Sequence, residues 1–240
     1  MLGSTIVYSG LVIALAGALR REFRLALAGV ALSGVGMALP ARTSRIARAE
    51  SHLDELMPQW QFNEVHTLRI DAPPAAVFAA IREVRADEIR LFETLTWIRR
   101  RGRELPEGIL NAGSSTPLLD VATRNGFGYL AIEEPREVVV GTVIFAPRGA
   151  DRTVTRKLFL EPIPRGFAIA AMNFRVTPDG SGSLVTTETR VLANHGRAKR
   201  QFAAYWRLIY PGSALIRRMW LRAIDRRSHA FSSAREVRTS

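Results

Sequence analysis

Residues able to carry chemistry are few in this chain of 240 residues, and their spacing already excludes several kinds of site. The histidines lie far apart and show no HExxH or HxH pattern for holding a metal ion; they are His52, His66, His195 and His229. Cysteine is absent, which excludes disulfide bonds, thiolate metal ligands and a cysteine nucleophile. We therefore predict neither a metal site nor a cofactor.

Motifs for nucleophilic catalysis and phosphate binding are also missing. No GxSxG elbow occurs, and no GxGxxG or GxxxxGK(S/T) loop follows a predicted strand. Hydrolase and nucleotide-binding functions are therefore disfavoured. We assign no catalytic residue, and the sequence leaves open whether the chain is an enzyme, with a non-catalytic role favoured.

One group of charged residues has a spacing suited to acid–base chemistry. Glu188 and Arg190 share a face of the predicted strand TETRV with Thr186, and Arg175 follows Phe174 on the neighbouring strand. On the concave face of a sheet, Glu188 with Arg175 or Arg190 would bind a polar head group or transfer protons. On the convex face they would form a surface pair of little energetic worth, and this structural pairing is favoured.

The net charge of +12 is concentrated at the C-terminal end. Residues 42–196 carry 20 Arg and Lys against 19 Asp and Glu, whereas residues 197–240 carry 11 against 2. No nucleic-acid recognition motif accompanies this excess, so nucleic acid is not an expected partner. Arg218, Arg222 and Arg226 recur on one side of the predicted last helix and are expected to contact anionic lipid.

The N-terminal segment has the pattern of a helical hairpin. Residues 2–19 and 25–41 contain no charge, and the RREFR segment between them contains four. Each run would form roughly 26 Å of helix, so we predict a transmembrane hairpin over residues 1–41. Gly10, Ala14 and Ala18, together with Gly29 and Ser33, would let the two helices approach closely. A cleaved signal peptide and a buried helical pair are the alternatives.

The remaining elements follow from periodicity and turn residues. Residues 42–59 read as a connector, residues 60–71 as a strand that includes His66, and residues 72–84 and 86–100 as two helices. A meander of five further strands is predicted at 126–134, 136–147, 153–162, 166–177 and 182–193. A helix over 197–230, kinked at Pro211, and a tail over 231–240 complete the chain.

This order of elements resembles the START-like, Bet v 1-like superfamily, whose members include polyketide cyclases and lipid-transport proteins. IDAPPAAVFAAI is similar to its opening strand and helix, and TETRVLA followed by FAAYWRLIYPGSALIRR is similar to its close. The resemblance covers residues 60–230 and implies an α+β helix-grip fold. In that fold a curved antiparallel sheet of about six strands surrounds a long C-terminal helix, with a cavity for an apolar ligand between them.

The predicted ligand-binding residues are the aromatic and charged side chains expected to line this cavity. They are Phe92, Trp97, Phe127, Phe145, Phe174, Glu188, Arg190, Phe202, Trp206 and Tyr210. The predicted function is a membrane-anchored binding protein for a lipid, quinone or polyketide-like compound. A cyclase- or aromatase-like enzyme and a membrane adaptor without a ligand are the alternatives.

The predicted location is the inner membrane, with the main domain on the cytoplasmic side. Arginines flank both sides of the hairpin in almost equal number, so they do not decide its orientation. The basic closing helix decides it, because anionic lipid is enriched in the cytoplasmic leaflet.

Overall fold

A computed structural model describes residues 2–38, 41–99 and 116–239 of the chain. It has α+β architecture, with an antiparallel five-stranded sheet and a long C-terminal helix packed across one of its faces. The strands of this sheet are β3 (Phe62–Ile70), β4 (Phe127–Glu133), β5 (Glu137–Phe145), β6 (Ala168–Asp179) and β7 (Gly182–Ala193). Their spatial order is β3-β7-β6-β5-β4, so β3 and β4 form the two edges.

Eight helices accompany the sheet among the described residues. They are α1 (Leu2–Leu19), α2 (Phe23–Ala38), α3 (His52–Leu56), α4 (Pro74–Glu83), α5 (Phe92–Arg99), α6 (Leu118–Arg124), α7 (Arg156–Leu160) and α8 (Gly196–Thr239). A 3-10 turn covers Ala86–Glu88, and the short strands β1 (Ser44–Arg45) and β2 (Gln59–Trp60) pair with each other. The segment predicted as one helix over 86–100 therefore contains the 3-10 turn followed by α5. Leu91, which has a φ of 57°, lies between them.

The register of the sheet decides which side chains face α8. Glu64 on β3 pairs with Thr189 on β7, which pairs with Met172 on β6. Because side chains alternate along a strand, every second residue from these positions points to α8. The buried cluster on this face includes Phe174, Val185 and the α8 residues Trp220 and Ile224. This half of the sheet–helix interface is a packed apolar core.

The opposite face of the sheet is also covered. A second apolar cluster joins Leu53 and Met57, near α3, to Phe159 of α7 and Ile169 of β6. The sheet is therefore buried on both faces where these short helices lie on it. This explains why β5 reads as an apolar run, EVVVGTVIF, rather than as an alternating pattern.

The predicted strand over 153–162 is wrong, because α7 occupies this segment. The hydroxyl of Thr155 accepts a hydrogen bond from the backbone N–H of Leu158 and caps the helix. Phe159 then enters the second apolar cluster. The main sheet consequently has five strands in the described part of the chain, where about six were predicted.

The N-terminal hairpin forms, with α1 and α2 in close contact. A methyl group added at Gly10 would overlap Ser33 and Gly29, and one added at Gly17 would overlap Ala26. The Ser33 hydroxyl donates to the carbonyl oxygens of Val7, at 3.1 Å, and Gly29, at 3.0 Å. The predicted close approach through small residues is confirmed.

The predicted membrane location is wrong. Within the described residues, no helix combines the length and apolarity needed to cross a membrane. The inner-membrane location and the cytoplasmic orientation inferred from it are withdrawn, as is the transmembrane character of residues 1–41.

The last helix continues through Pro211 rather than ending there. Proline has no backbone N–H, so the carbonyl oxygen of Arg207, four residues earlier, lacks its helical donor. The Tyr8 hydroxyl of α1 donates to this oxygen at 2.6 Å. The hairpin therefore supplies the hydrogen bond that Pro211 removes, and it is joined to α8 at this point.

Candidate functional site

A buried polar network lies on the face of the sheet that α8 covers, and it consists of Glu64, His66 and Ser213. Glu64 and His66 are two residues apart on the edge strand β3, so both side chains point towards α8. One Glu64 carboxylate oxygen is 2.8 Å from Nε2 of His66, and the other accepts a 2.9 Å hydrogen bond from the Ser213 hydroxyl. The Glu64 side chain is 1% exposed and that of His66 10%.

A second polar contact joins the sheet to the next turn of α8. Arg217 follows Ser213 by four residues and therefore lies on the same side of the helix. Its Nη2 donates to the Thr189 hydroxyl at 3.0 Å, and Thr189 pairs with Glu64 across the two strands. Its guanidinium also lies 5.4 Å from the ring centroid of Trp220. Two successive turns of α8 thus contact the sheet through polar side chains.

An aromatic cluster adjoins the polar network, and it consists of Phe62, Phe202, Trp206 and Tyr210. Phe62 precedes Glu64 by two residues and points to the same side of β3. Its ring centroid lies 5.1 Å from that of Phe202 and 6.0 Å from that of Trp206. Tyr210 lies 6.1 Å from Trp206. The face of the sheet under α8 therefore changes from aromatic to polar along β3.

The hairpin reaches this region through Tyr8. The Tyr8 ring centroid lies 6.5 Å from that of Tyr210. Burial, together with the nearby Tyr210 and Glu64, raises the pKa of Tyr8 to about 12. The phenol therefore stays neutral near pH 7 and remains a hydrogen-bond donor.

The predicted aromatic residues separate into three groups. Phe92 and Phe174 are buried in the core under α8, and Phe127 packs against that core. Trp97 and Phe145 are exposed, at 54% and 41%. The α8 residues of the prediction belong to the aromatic cluster; they are Phe202, Trp206 and Tyr210. Only this last group lies beside the polar network.

Glu188 and Arg190 lie on the sheet face away from α8, where they form an arginine clamp with Asp54. Arg190 Nη2 is 2.7 Å from Asp54 Oδ1, and its Nε is 2.8 Å from Glu188 Oε1. The guanidinium also donates to the carbonyl oxygen of Met57 and lies 4.2 Å from the ring centroid of Trp60. Glu188 and Arg190 thus form the structural pair that was predicted as one alternative. The Arg190 side chain is buried, however, rather than at the surface.

Hydrogen bonds set the ionisation of the arginine clamp. Burial alone would raise the pKa of Asp54, but hydrogen bonds from the Glu50 N–H, Arg190 and Ser51 outweigh it and hold that pKa below its ordinary value. Burial lowers the pKa of Arg190, and its contacts with Glu188 and Asp54 more than restore it. The ion pair between Asp54 and Arg190 is therefore maintained despite its burial, which suits a structural role.

The arginines expected to contact lipid lie on the outer side of α8. Arg218 and Arg222 are exposed, and Arg226 donates to the carbonyl oxygen of Glu88 at 2.7 Å. Their neighbour Arg227 is 3.2 Å from Glu83 and 2.6 Å from Glu88. This part of the basic surface joins α8 to the segment after α4.

Two clefts, of about 440 and 450 Å³, are present among the described residues. One is lined by His52, Glu133 and Arg136 near α3, and the other by Phe78 and Arg82 beside α4. Neither cleft has the predicted position under α8.

None of the three members of the polar network was among the predicted site residues. Glu64 and His66 alternate with Val65 and Thr67, so the pattern identifies a strand but not which face is buried. Ser213 follows Pro211 and Gly212, a context that indicates a helix break rather than a contact with the sheet. The buried Glu64 could be recognised only once α8 was placed over β3.

Solved structures similar to this chain share little sequence identity with it. No family model and no curated protein sequence matches the chain. Protein MLL2253 from Mesorhizobium loti is 14% identical and matches 69% of this chain and 98% of its own, with a TM-score of 0.32. CalU16 from Micromonospora echinospora is 16% identical and matches 80% of this chain and 97% of its own, with a TM-score of 0.27.

A third solved structure comes from a biosynthetic pathway. StfQ, a di-domain ARO/CYC protein of the steffimycin pathway, is 10% identical and matches 89% of this chain and 62% of its own, with a TM-score of 0.28. The resemblance to the START-like, Bet v 1-like superfamily stays a prediction from the sequence. At these identities the likeness concerns the fold alone.

Proposed function

We propose that this chain binds an apolar small molecule, of the lipid, quinone or polyketide-like kind, between α8 and the β3–β7 side of the sheet. The observation that carries the proposal is the polar network buried on a sheet face that is otherwise apolar or aromatic. Binding sites for small molecules combine apolar walls with a few converging polar groups. The aromatic cluster supplies the walls, and Glu64, His66 and Ser213 supply the polar groups.

The energetic cost of this network supports a role in binding. Removing a carboxylate from water is expensive, and apolar side chains of similar volume usually stabilise a core as well or better. Glu64 is nevertheless almost fully buried, at the edge strand. In the proposal, the ligand enters beside α8 and displaces side chains of the aromatic cluster. The charged surface of α8 and the hairpin have no role in it.

Binding of the uncharged fluorescent probe N-phenyl-1-naphthylamine tests the proposal. Fluorescence should rise to saturation with the full-length chain, and Trp206→Leu should weaken the apparent affinity about tenfold, as expected for losing about 1.4 kcal/mol of aromatic contact. Trp97→Leu is the matched control, because Trp97 is exposed and outside the cluster. Equal effects of the two substitutions, or fluorescence that never saturates, would contradict the proposal.

A second candidate function is a cyclase- or aromatase-like enzyme. The contact between Glu64 and His66 favours it, because a carboxylate that orients an imidazole is a common arrangement for proton transfer. Such an enzyme should accelerate the exchange of α-protons of 1-phenylbutane-1,3-dione with deuterated solvent. His66→Phe should abolish the acceleration, whereas a pure binding protein gives none.

A further inference from the structure

One ring nitrogen of His66 has no partner among the described residues, although the side chain is nine-tenths buried. Nε2 is 2.8 Å from Glu64, and no hydrogen bond to Nδ1 is found in that part of the chain. A carboxylate accepts hydrogen bonds, so Glu64 keeps the imidazole proton on Nε2. In that tautomer Nδ1 carries the lone pair of the ring and can accept a hydrogen bond.

The neighbouring carboxylate decides which ligand group can approach Nδ1. A second carboxylate beside His66 would be repelled by Glu64, and burial strengthens repulsion between like charges. A hydroxyl group brings no charge and donates the hydrogen bond that Nδ1 lacks. The site therefore favours a neutral hydroxyl over an acid.

The strand also sets a length for the ligand. Phe62 and His66 are four residues apart on β3, which corresponds to roughly 13 Å. Both point to the α8 side, with Glu64 and Ser213 between them. A molecule that touches the aromatic cluster at one end and His66 at the other must be elongated, with about two rings or an equivalent chain.

We propose that the site under α8 selects an elongated, uncharged molecule with a terminal hydroxyl group, which donates to Nδ1 of His66 while its apolar body lies against the aromatic cluster. Glu64 acts as a positioning residue: it fixes the imidazole tautomer and disfavours acidic ligands. This inference rests on the proposed function and names the ligand class for the same site.

Equilibrium dialysis with three matched probes tests the inference on the full-length chain. The probes are 4-hydroxybiphenyl, biphenyl and biphenyl-4-carboxylate. The hydroxyl compound should bind about fivefold more tightly than biphenyl, the usual worth of one neutral hydrogen bond. The carboxylate should bind more weakly than biphenyl, and Glu64→Gln should reduce that penalty.

Variants of His66 separate the hydrogen bond from general damage. His66→Phe should bring the ratio of the hydroxyl compound to biphenyl down to about one, because the acceptor is lost. His66→Asn, which can place an oxygen near the position of Nδ1, should retain part of the preference. His229→Phe removes an exposed histidine and should leave the ratio as in the unaltered chain.

The outcomes distinguish the two proposals. Equal affinity for 4-hydroxybiphenyl and biphenyl, with both saturable, would overturn the role of His66 and leave apolar binding intact. A preference that survives His66→Phe would also overturn it. Failure of all three probes to bind saturably would overturn the inference together with the proposed function.

Discussion

The two faces of the sheet bury polar residues in different ways. On the face away from α8, the Arg190 guanidinium meets Asp54, Glu188 and a backbone carbonyl, so opposite charges are paired within the clamp. On the α8 face, Glu64 uses both carboxylate oxygens, but His66 keeps one ring nitrogen without a partner in the described chain. In the first arrangement every charged group has a partner, whereas in the second one ring nitrogen is left unused by the described residues.

This difference shows why burial of charge does not by itself identify a binding site. Glu188 and Arg190 had the residue types and spacing of a candidate site, yet every strong group they offer is used to hold the segment around α3 on the sheet. The less conspicuous Glu64 and His66 lie under α8. A buried donor or acceptor that has no partner within the protein is a better indication of a binding site than a buried charge.

The largest expected effect comes from breaking the arginine clamp. Arg190→Met leaves the buried Asp54 and the Glu188 carboxylate without their cation, and should lower the free energy of unfolding by about 3–5 kcal/mol. Urea titration followed by circular dichroism measures the loss. Arg136→Met is the control, because that exposed pair with Glu133 should contribute less than about 1 kcal/mol. Similar losses of unfolding free energy in both variants would show that the buried clamp contributes no more than an exposed ion pair.

Acid should weaken the same clamp in a way that depends on Asp54. Its pKa is lowered on folding, so the stabilisation is complete above the unfolded value of about 3.9 and is lost as pH falls through the folded value. The unaltered chain should therefore lose stability steeply below about pH 4. Asp54→Asn should be less stable at pH 7 and show a shallower acid dependence. If stability depended on pH as steeply in Asp54→Asn as in the unaltered chain, protonation of Asp54 would not be the cause of the acid sensitivity.

A smaller effect is expected in the polar network. Ser213→Ala removes the donor to one Glu64 oxygen and should cost about 1–3 kcal/mol, because that oxygen is left buried. Thermal unfolding provides the measurement, with Ser181→Ala in the exposed β6–β7 turn as the control. A loss no larger than that of the control would indicate that water replaces the hydroxyl and that this region is open to solvent.

The smallest effect concerns the contact between the hairpin and α8. Tyr8→Phe leaves the Arg207 carbonyl oxygen without a donor, since Pro211 has no N–H to offer, and should cost about 1 kcal/mol. The change should be local, with faster amide hydrogen exchange in residues 207–215. Uniformly faster exchange along the chain, or no change there, would contradict a specific contact at this turn.

The sequence predicted most elements of the sheet because their alternation and turn residues are local signals. It missed α7 because TVTRKLF alternates between apolar and polar residues, as many strands do. The Thr155 cap and the burial of Phe159 distinguish the helix from a strand. It could not predict how the hydrogen bond missing at Pro211 is replaced, because the Tyr8 hydroxyl lies 199 residues away in the chain.

The candidate site was less predictable for a related reason. Two-residue alternation shows that Glu188 and Arg190 share a face, and that Glu64 and His66 do, but not which face α8 covers. That choice depends on the register of β3 with β7 and on the docking of α8, which are contacts between distant residues. Phe202, Trp206 and Tyr210 lie together because helical spacing fixes them relative to one another, and that they contact a ligand stays a prediction.

The most direct test of the central claim uses two methionine methyl groups as reporters. Met172 lies in the core under α8, whereas Met57 lies in the apolar cluster on the opposite face. With the methyl carbons isotopically labelled, titration with 4-hydroxybiphenyl should shift the Met172 resonance saturably and leave that of Met57 unchanged. A saturable shift of Met57 alone, or no shift of either resonance, would contradict binding between α8 and the sheet.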